Sequence, residues 1–456
     1  MEDLPEEIKP RVMSLLSLKE AARTSTVATN WRSLWTCYPN LCFDGSSNVE
    51  ESTDEDDDNS IIQQHSGTGL DKFSIIKYSL KTKSRDHLGR WIRFATGSKA
   101  KAIDVDLWAK RERVRQATQV YNFPLEALRA QEGPFIRSLS LKYVSMKPHS
   151  EMMCGFTKLR RLLLHSVRIV GDLPGLLNGC WALEDQELIK CYGVADLNVP
   201  CRLDKLRRLV ISQTPVHMVG FHVTGLTQFE FNGDEIPIAL HGCSKLEKAT
   251  IDLGDASVKQ KSNRALCYAF TEIPGISAVR VLNLHAYMDH QRLWASQVHT
   301  WVTKPTHMFI SLRHLTCEMR ILLAHYMDLA PHLETLQVHM MRYATDRSCW
   351  RGEVKGEEVS CCMRRLDHLK TVYMSGFRCY RAQVELLCGI LKRGSALEHV
   401  TIEPKATVAE DSLSRIFGIP EREIREWAHQ TSERFGRTIT AVQTSESEEE
   451  VAVIKV

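Results

Sequence analysis

The feature that most constrains this chain is a recurring apolar spacing, L-x-x-L-x-L. It appears in FIRSLSL (Ile136, Leu139, Leu141), KLRRLLL (Leu159, Leu162, Leu164) and KLRRLVI (Leu206, Leu209, Ile211). It continues in GLTQFEF (Leu226, Phe229, Phe231), KLEKATI (Leu246, Ala249, Ile251) and AVRVLNL (Val279, Leu282, Leu284). SLRHLTC (Leu312, Leu315, Cys317), HLETLQV (Leu333, Leu336, Val338), HLKTVYM (Leu369, Val372, Met374) and ALEHVTI (Leu397, Val400, Ile402) complete the set. One further unit, ALEDQELIKC, starts at Leu183 but has Gln186 where an apolar residue belongs, so its strand is expected to re-register onto Leu188.

The spacing between first anchors decides the class. From Ile136 to Leu246 the gaps are 23, 24, 23, 20 and 20 residues. That is the period of leucine-rich repeats, about 20–29 residues. The later gaps, 33, 33, 21, 36 and 28, are irregular, so insertions such as 254–275 and 341–362 loop out or add helices. Each unit supplies a short strand whose alternate residues face inward, followed by a return segment. A single unit cannot cover its inward face. Stacked units bury a continuous apolar ladder, with parallel strands on the concave side. The expected fold is α/β: an irregular leucine-rich-repeat solenoid, or horseshoe, over residues 88–404, behind a small helical unit.

Bulk properties exclude several classes. Apolar residues make up 43% and charged residues 25%, with a net charge of +3. Such a balance gives no strong field for nucleic acid. No apolar run of about 18 residues offers a membrane span. The N-terminus lacks the charged-then-apolar pattern of a secretory signal. The 14 cysteines include no CxxC pair, and no Asn-x-Ser/Thr acceptor occurs. Together these point to a reducing compartment, cytoplasm or nucleus, with free and mostly buried thiols. Zinc-ligand spacing is missing, so neither a metal nor a cofactor is expected.

Residues 1–43 read as helices. Pro5 suits a first helical turn, and Glu6 and Glu7 favour the positive helix end. Leu4, Ile8, Val12, Leu15 and Leu16 form one apolar stripe, although Pro10 removes a backbone bond and bends or delays the helix. LKEAARTSTVA gives a second helix and NWRSLW a third. So small a unit is marginal alone and needs a partner for its stripe. Residues 44–70 read as an acidic flexible linker: seven of the nine residues from Glu50 to Asp58 are acidic. Such a run repels itself and buries no apolar surface. Residues 441–456 read as an acidic tail.

The stretch LPEEIKPRVMSLLSLKEAARTSTVATNWRSLW resembles the F-box, particularly the plant type. The likeness rests on Leu4-Pro5, Ile8, SLLSLKEA, Ala22-Arg23-Thr24-Ser25, Trp31 and Leu34-Trp35. YPNLCFD (38–44) is similar to the segment that follows many plant F-boxes, and WIRFATGSKAKAIDVDL (91–107) with the repeats resembles plant F-box/leucine-rich-repeat proteins. LKTVYMSGFRCYRAQVELLCGILKRGSALEHVTIEP (369–404) is similar to the FBD region of that group, which would occupy about 361–440. The resemblance implies a substrate-recognition subunit of an SCF-type ubiquitin ligase. Its F-box would dock a Skp-type adaptor, and through it a cullin and a RING protein. The repeats would hold an unidentified target protein for ubiquitination. Carried over by position, the adaptor contacts are Leu4, Pro5, Ile8, Leu15, Leu16, Leu18, Val27, Trp31 and Leu34. Some of these instead form the internal core of the three helices. A second reading is a repeat-based interaction scaffold with a degenerate F-box and no ligase role.

Residues between the inward ones point to the concave surface. The candidates there are Arg161, Leu163, His165, Arg208, Val210 and Tyr373. The early rungs lean basic, and Leu163, Val210 and Tyr373 are expected to be exposed apolar or aromatic groups on a wet face, which mark contact. Histidines 165, 285, 314 and 339 recur on that face as ordinary surface residues. No GxxxxGK[ST], HExxH or GxSxG motif exists, GTG at 67–69 lies in the linker, and Cys361-Cys362 lacks a motif partner. No catalytic residue is expected; the chain would position two proteins rather than act as an enzyme.

Overall fold

The structure is a computed structural model. It describes residues 36–44, 61–68, 70–76, 84–107, 120–128, 135–149, 155–253, 275–286, 308–318, 327–339, 365–379, 381–404 and 420–442, with single positions elsewhere. The chain divides into two compact units. One comprises residues 1–226 and 236–243; the other comprises 227–235 and 244–456.

The first unit carries a ladder of parallel strands: β1 (Asn40–Asp44), β2 (Lys72–Ile76), β3 (Ala102–Asp106), β5 (Ser138–Lys142), β7 (Arg161–His165), β9 (Asp185–Ile189) and β11 (Arg208–Ser212). Behind it, β4 (Asn122–Phe123), β6 (Ser145–Met146) and β8 (Arg168–Ile169) form a short parallel ladder, and β10 (Asp196–Arg202), β12 (Met218–His222) and β14 (Ile238–His241) form another. The second unit runs from β13 (Gln228–Gly233) through β15 (Lys248–Leu253), β16 (Val281–Ala286), β17 (His314–Glu318), β18 (Thr335–His339), β19 (Thr371–Ser375) and β20 (His399–Glu403) to β21 (Ile439–Ala441), again all parallel.

The spacing rule explains the ladder rung by rung. Leu139 and Leu141 pair with Leu162 and Leu164, and all four are buried. Phe229 and Phe231 pair with Ala249 and Ile251, and these also are buried. Strands β5, β7, β9 and β11 each end on a left-handed corner: Tyr143, Ser166, Lys190 and Gln213 all have positive φ. The cost of that conformation for a side-chain-bearing residue is offset by one more rung. The N–H groups of Tyr143, Ser166 and Lys190 donate to the last carbonyl of the next strand, from His165, Ile189 and Ser212.

Two expectations are corrected here. First, the ladder begins well before residue 88 and extends past 404. Strand β1 lies at the end of the segment read as helical, and residues 61–70 of the expected linker include packed positions: His65 and Leu70 are buried. The same spacing is present there with other apolar types. Tyr38, Leu41 and Phe43, then Leu70, Phe73 and Ile75, then Ala100, Ile103 and Val105 all occupy inward sites and are buried. Residues 45–60 and 443–456 lie outside the described residues.

Second, β9 does not re-register. Gln186 pairs with Leu162 on one side and Leu209 on the other, fully buried in the apolar ladder. Shifting the strand by two residues would put Lys190 inside, and burying that ammonium costs more than burying an amide.

Candidate adaptor face and concave surface

At the N-terminus, the Val12 N–H donates to the Ile8 carbonyl at 3.0 Å, the i to i+4 bond of a helical turn. Ile8 is 45% exposed and Leu15 82% exposed. Leu16 is half-buried, and its carbonyl accepts from the Tyr38 hydroxyl at 2.6 Å. Ala21 is fully buried. The other positions carried over for adaptor contact, Leu4, Pro5, Leu18, Val27, Trp31 and Leu34, lie outside the described residues. Tyr38 thus ties the helical segment to the first rung. Burial pushes its hydroxyl pKa up, with Cys42 and Glu20 adding to the rise.

On the concave face of the first unit, the expected basic lean is absent. Arg161 pairs with Asp185 at 3.6 Å, and Arg208 pairs with Asp185 at 3.2 Å and with Glu187. The acidic residues come from β9, the rung whose irregular spacing hid its outward positions. Surface pairs of this kind contribute about 0–1 kcal/mol each, so they set charge pattern more than stability. Val210, expected on a wet face, is buried. Its partner across the ladder is Glu187, and the Arg208–Glu187 pair lies alongside it. Leu163 and His165 are half-buried. The His165 ring lies 5.8 Å from that of Tyr143. Burial, then Lys142 and Lys190, push the His165 pKa down, against Asp106 and Glu187.

The concave face of the second unit is a chain of hydrogen bonds between rungs. Asn232 donates to Asp252 at 2.5 Å, and Asn283 donates to Thr250 at 3.3 Å. His339 Nδ1 meets Ser375 Oγ at 2.9 Å, and its ring meets the Tyr373 ring edge-on at 5.9 Å. The Tyr373 hydroxyl donates to Glu403. Burial and then the Glu403 carboxylate push its pKa up to about 12. Tyr373 is therefore a neutral, half-buried donor, rather than a free aromatic patch. Among the described residues no group of three or more His, Cys, Asp or Glu side chains is placed to hold a metal.

A family model described as "At1g61320/AtMIF1, LRR domain" matches residues 61–442, and the F-box domain model matches residues 1–42. The chain belongs to the plant F-box/leucine-rich-repeat family.

Among its relatives in Arabidopsis thaliana, F-box/FBD/LRR-repeat protein At5g56420 is 22% identical, over 89% of this chain and 92% of that protein. F-box/FBD/LRR-repeat protein At2g04230 is 24% identical, over 88% of each chain. F-box protein At5g03100 is 27% identical, over 55% of this chain and 75% of that protein. F-box/leucine-rich-repeat proteins are typically adaptors without chemistry of their own, in which the F-box meets a Skp-type adaptor and the repeats meet a protein.

The concave residues of β1, β2 and β3 were not among the sequence candidates; their units, Tyr38-Leu41-Phe43, Leu70-Phe73-Ile75 and Ala100-Ile103-Val105, carry one Leu or none and lie ahead of the first Leu-rich unit at Ile136.

Proposed function

We propose that this protein is the target-recognition subunit of an SCF-type ubiquitin ligase. Its N-terminal F-box segment docks a Skp-type adaptor, and through it a cullin and a RING protein. The concave strands hold a target protein for ubiquitination, in the cytoplasm or nucleus. The observation that carries this reading is the exposure of Leu15 and Ile8 within a segment anchored by Ala21 and by the Tyr38–Leu16 hydrogen bond. An apolar side chain left 82% exposed on an anchored helical segment is stable in water only at a cost that a docking partner removes. The Val12–Ile8 hydrogen bond, an i to i+4 helical contact, supports helical geometry at those two positions. In this reading the chain makes and breaks no covalent bond; it raises the local concentration of target beside the transfer machinery.

The test is capture of a purified Skp-type adaptor on the full chain. Leu15→Asp combined with Ile8→Asp should abolish capture while leaving the circular dichroism spectrum and melting temperature unchanged. If the wild-type chain captures no Skp-type adaptor, the ligase reading is wrong.

A further inference from the structure

The rim ahead of the concave strands in the first unit carries a positive charge that the rest of the chain does not. Within two residues of the first apolar anchors Tyr38, Leu70, Ala100, Ile136, Leu159, Leu183 and Leu206 stand ten Lys or Arg and four Asp or Glu. That surplus of six exceeds the +3 of the whole chain, so the remainder is net acidic. The charges fall in register. Hydrogen bonds between rungs continue one residue ahead of each strand: the Arg137 N–H donates to the Lys101 carbonyl, Arg160 to Arg137, Glu184 to Arg160 and Arg207 to Glu184. These five residues therefore form one row at the strand-to-strand spacing, about 4.8 Å per step. Arg137, Lys158, Arg160, Arg161, Lys205 and Arg207 are all exposed.

The carboxylates of this rim are taken. Asp71 meets Lys101, Glu184 meets Arg160, Asp185 meets Arg161 and Arg208, and Asp204 meets Arg202. Arg137, Lys158 and Lys205 have no ion-pair partner among the described residues. The Arg160–Glu184 and Arg161–Asp185 pairs are long, 3.7 and 3.6 Å, and well exposed to water on the arginine side, so an incoming carboxylate can compete for both guanidinium groups. Between the Leu159 and Leu206 units, the Leu183 unit has no cation at these positions and carries Trp181, which is 65% exposed. The Trp181 indole N–H donates to the Asn178 carbonyl at 3.0 Å, which pins the ring. The turn is the same in all three units: the N–H groups of Leu159, Leu183 and Leu206 donate to the carbonyls of Phe156, Cys180 and Leu203. Trp181 thus stands between the turns that bear Lys158 and Lys205. A large aromatic held in place inside a charged rim is the composition of a contact centre.

We propose that this rim docks an extended acidic segment of the target protein, with an apolar residue between its carboxylates. The carboxylates meet Arg137, Lys158 and Arg160 on one side and Lys205 and Arg207 on the other; the apolar side chain lies on Trp181. From Lys101 to Arg207 the row has four steps, about 19 Å, which an extended chain covers in about six residues. The inference rests on the target-recognition reading above and narrows it to the chemistry of one contact. A nucleic acid fits less well, because its unbroken row of phosphates would cross Glu184 and Asp185, whereas a peptide can place a neutral residue there.

The experiment is selection of a random-peptide display library on the full chain. Enriched peptides should share Asp or Glu on both sides of an apolar residue. The leading peptide should lose at least about tenfold in affinity on Lys158→Glu combined with Lys205→Glu, and should weaken severalfold on Trp181→Ala. Lys147→Glu combined with Arg168→Glu makes the same change in net charge at exposed positions away from this rim, and should leave the affinity within about twofold. All of these side chains are exposed, so the melting temperatures should stay close to that of the wild type. The proposal is overturned if no peptide is enriched, if enriched peptides lack acidic residues, or if the leading peptide binds the Lys158/Lys205 variant as it binds the wild type. It is equally overturned if the Lys147/Arg168 variant loses as much, or if a single-stranded oligonucleotide displaces the peptide and binds more tightly. Adaptor capture is scored separately. Its failure would sink the ligase reading, while acidic-peptide binding that depends on Lys158, Lys205 and Trp181 would stand without it.

Discussion

His65 Nδ1 accepts the Gly67 N–H at 2.9 Å, and its Nε2 lies 2.8 Å from the Tyr38 carbonyl. The first contact fixes the second: with Nδ1 accepting, the proton must sit on Nε2 and be donated to Tyr38. Only the neutral ring satisfies both bonds. The same residues lace residues 65–72 onto 36–39, where Ser66 N–H donates to Thr36 and Asp71 and Lys72 N–H groups donate to Pro39. His65 is thus a staple between the start of the ladder and the segment that meets Leu16 through Tyr38.

The pH consequence follows from the direction of the shift. Burial pushes the His65 pKa below its ordinary value, opposed by the bond to Tyr38. The unfolded chain therefore takes up this proton first as pH falls, and stability declines from about pH 6.5 downward. Above that value the contribution is fully present. Thermal melts between about pH 7.5 and pH 5 should show a decline that is shallower in His65→Gln, whose amide can still donate to Tyr38 but does not titrate. An equal decline in both proteins would show that His65 does not carry the effect.

Gln186 makes a second prediction. Neither its Oε1 nor its Nε2 has a hydrogen-bond partner, and the residue is fully buried between Leu162 and Leu209. Desolvating an unmatched amide costs about 1–3 kcal/mol. Gln186→Leu should therefore raise the denaturation midpoint, with a gain on the order of 1–3 kcal/mol and no change in the slope of the transition. Gln186→Ala should not reproduce the gain, because it trades the amide for a cavity.

How far the sequence could be read depends on whether a residue's job is set by spacing or by its neighbours. Leu139, Leu162 and Leu209 were legible because a period-two strand in a stacked ladder leaves them nowhere but inside. Phe73 and Ile103 follow the same rule but lie ahead of the first Leu-rich unit at Ile136, in units of mixed apolar type. Gln186 was recognised as an anomaly but misplaced. The register of its strand is set by the four other residues of Asp185–Ile189, and one amide does not outweigh them. The concave surface was the least legible. Val210 alternates outward yet is buried, and Arg208 is basic yet neutralised, because both depend on Glu187 one strand away.

At the far end of the second unit, Arg437 holds the last rung in place. Its guanidinium donates to the carbonyls of Leu397 at 2.7 Å, Ser395 at 3.0 Å and Gly394 at 3.3 Å. It follows Gly436, whose left-handed φ ends the helix Glu421–Phe435, so the chain turns directly from that helix into β21. Hydrogen bonds from a charged donor contribute about 1.5–3 kcal/mol each before screening. Arg437→Ala should cost about 2 kcal/mol and speed amide exchange in β21 and the preceding helix, leaving the strands of the first unit protected. Lysine should recover little, since a single ammonium cannot span three carbonyls. Uniform loss of protection across both units would refute a local role.

The thiols supply the last prediction. The nine described cysteines are free, and six of them, Cys180, Cys191, Cys243, Cys317, Cys379 and Cys388, are buried. Burial pushes Cys180 up to about 12, and Cys191 and Cys388 up to about 11. Cys191 also spends its S–H on the Leu164 carbonyl at 3.3 Å, inside the ladder. Since the thiolate is the reactive species, these three should resist alkylation in the folded protein near pH 8, whereas exposed Cys37 should label rapidly and Cys42, whose thiol burial also pushes up, more slowly than Cys37. Mass spectrometry of a timed iodoacetamide reaction separates the two groups. Labelling of Cys191 at the rate of Cys37 would mean that the ladder opens locally, because its sulfur cannot be reached or ionised while the Leu164 bond is made.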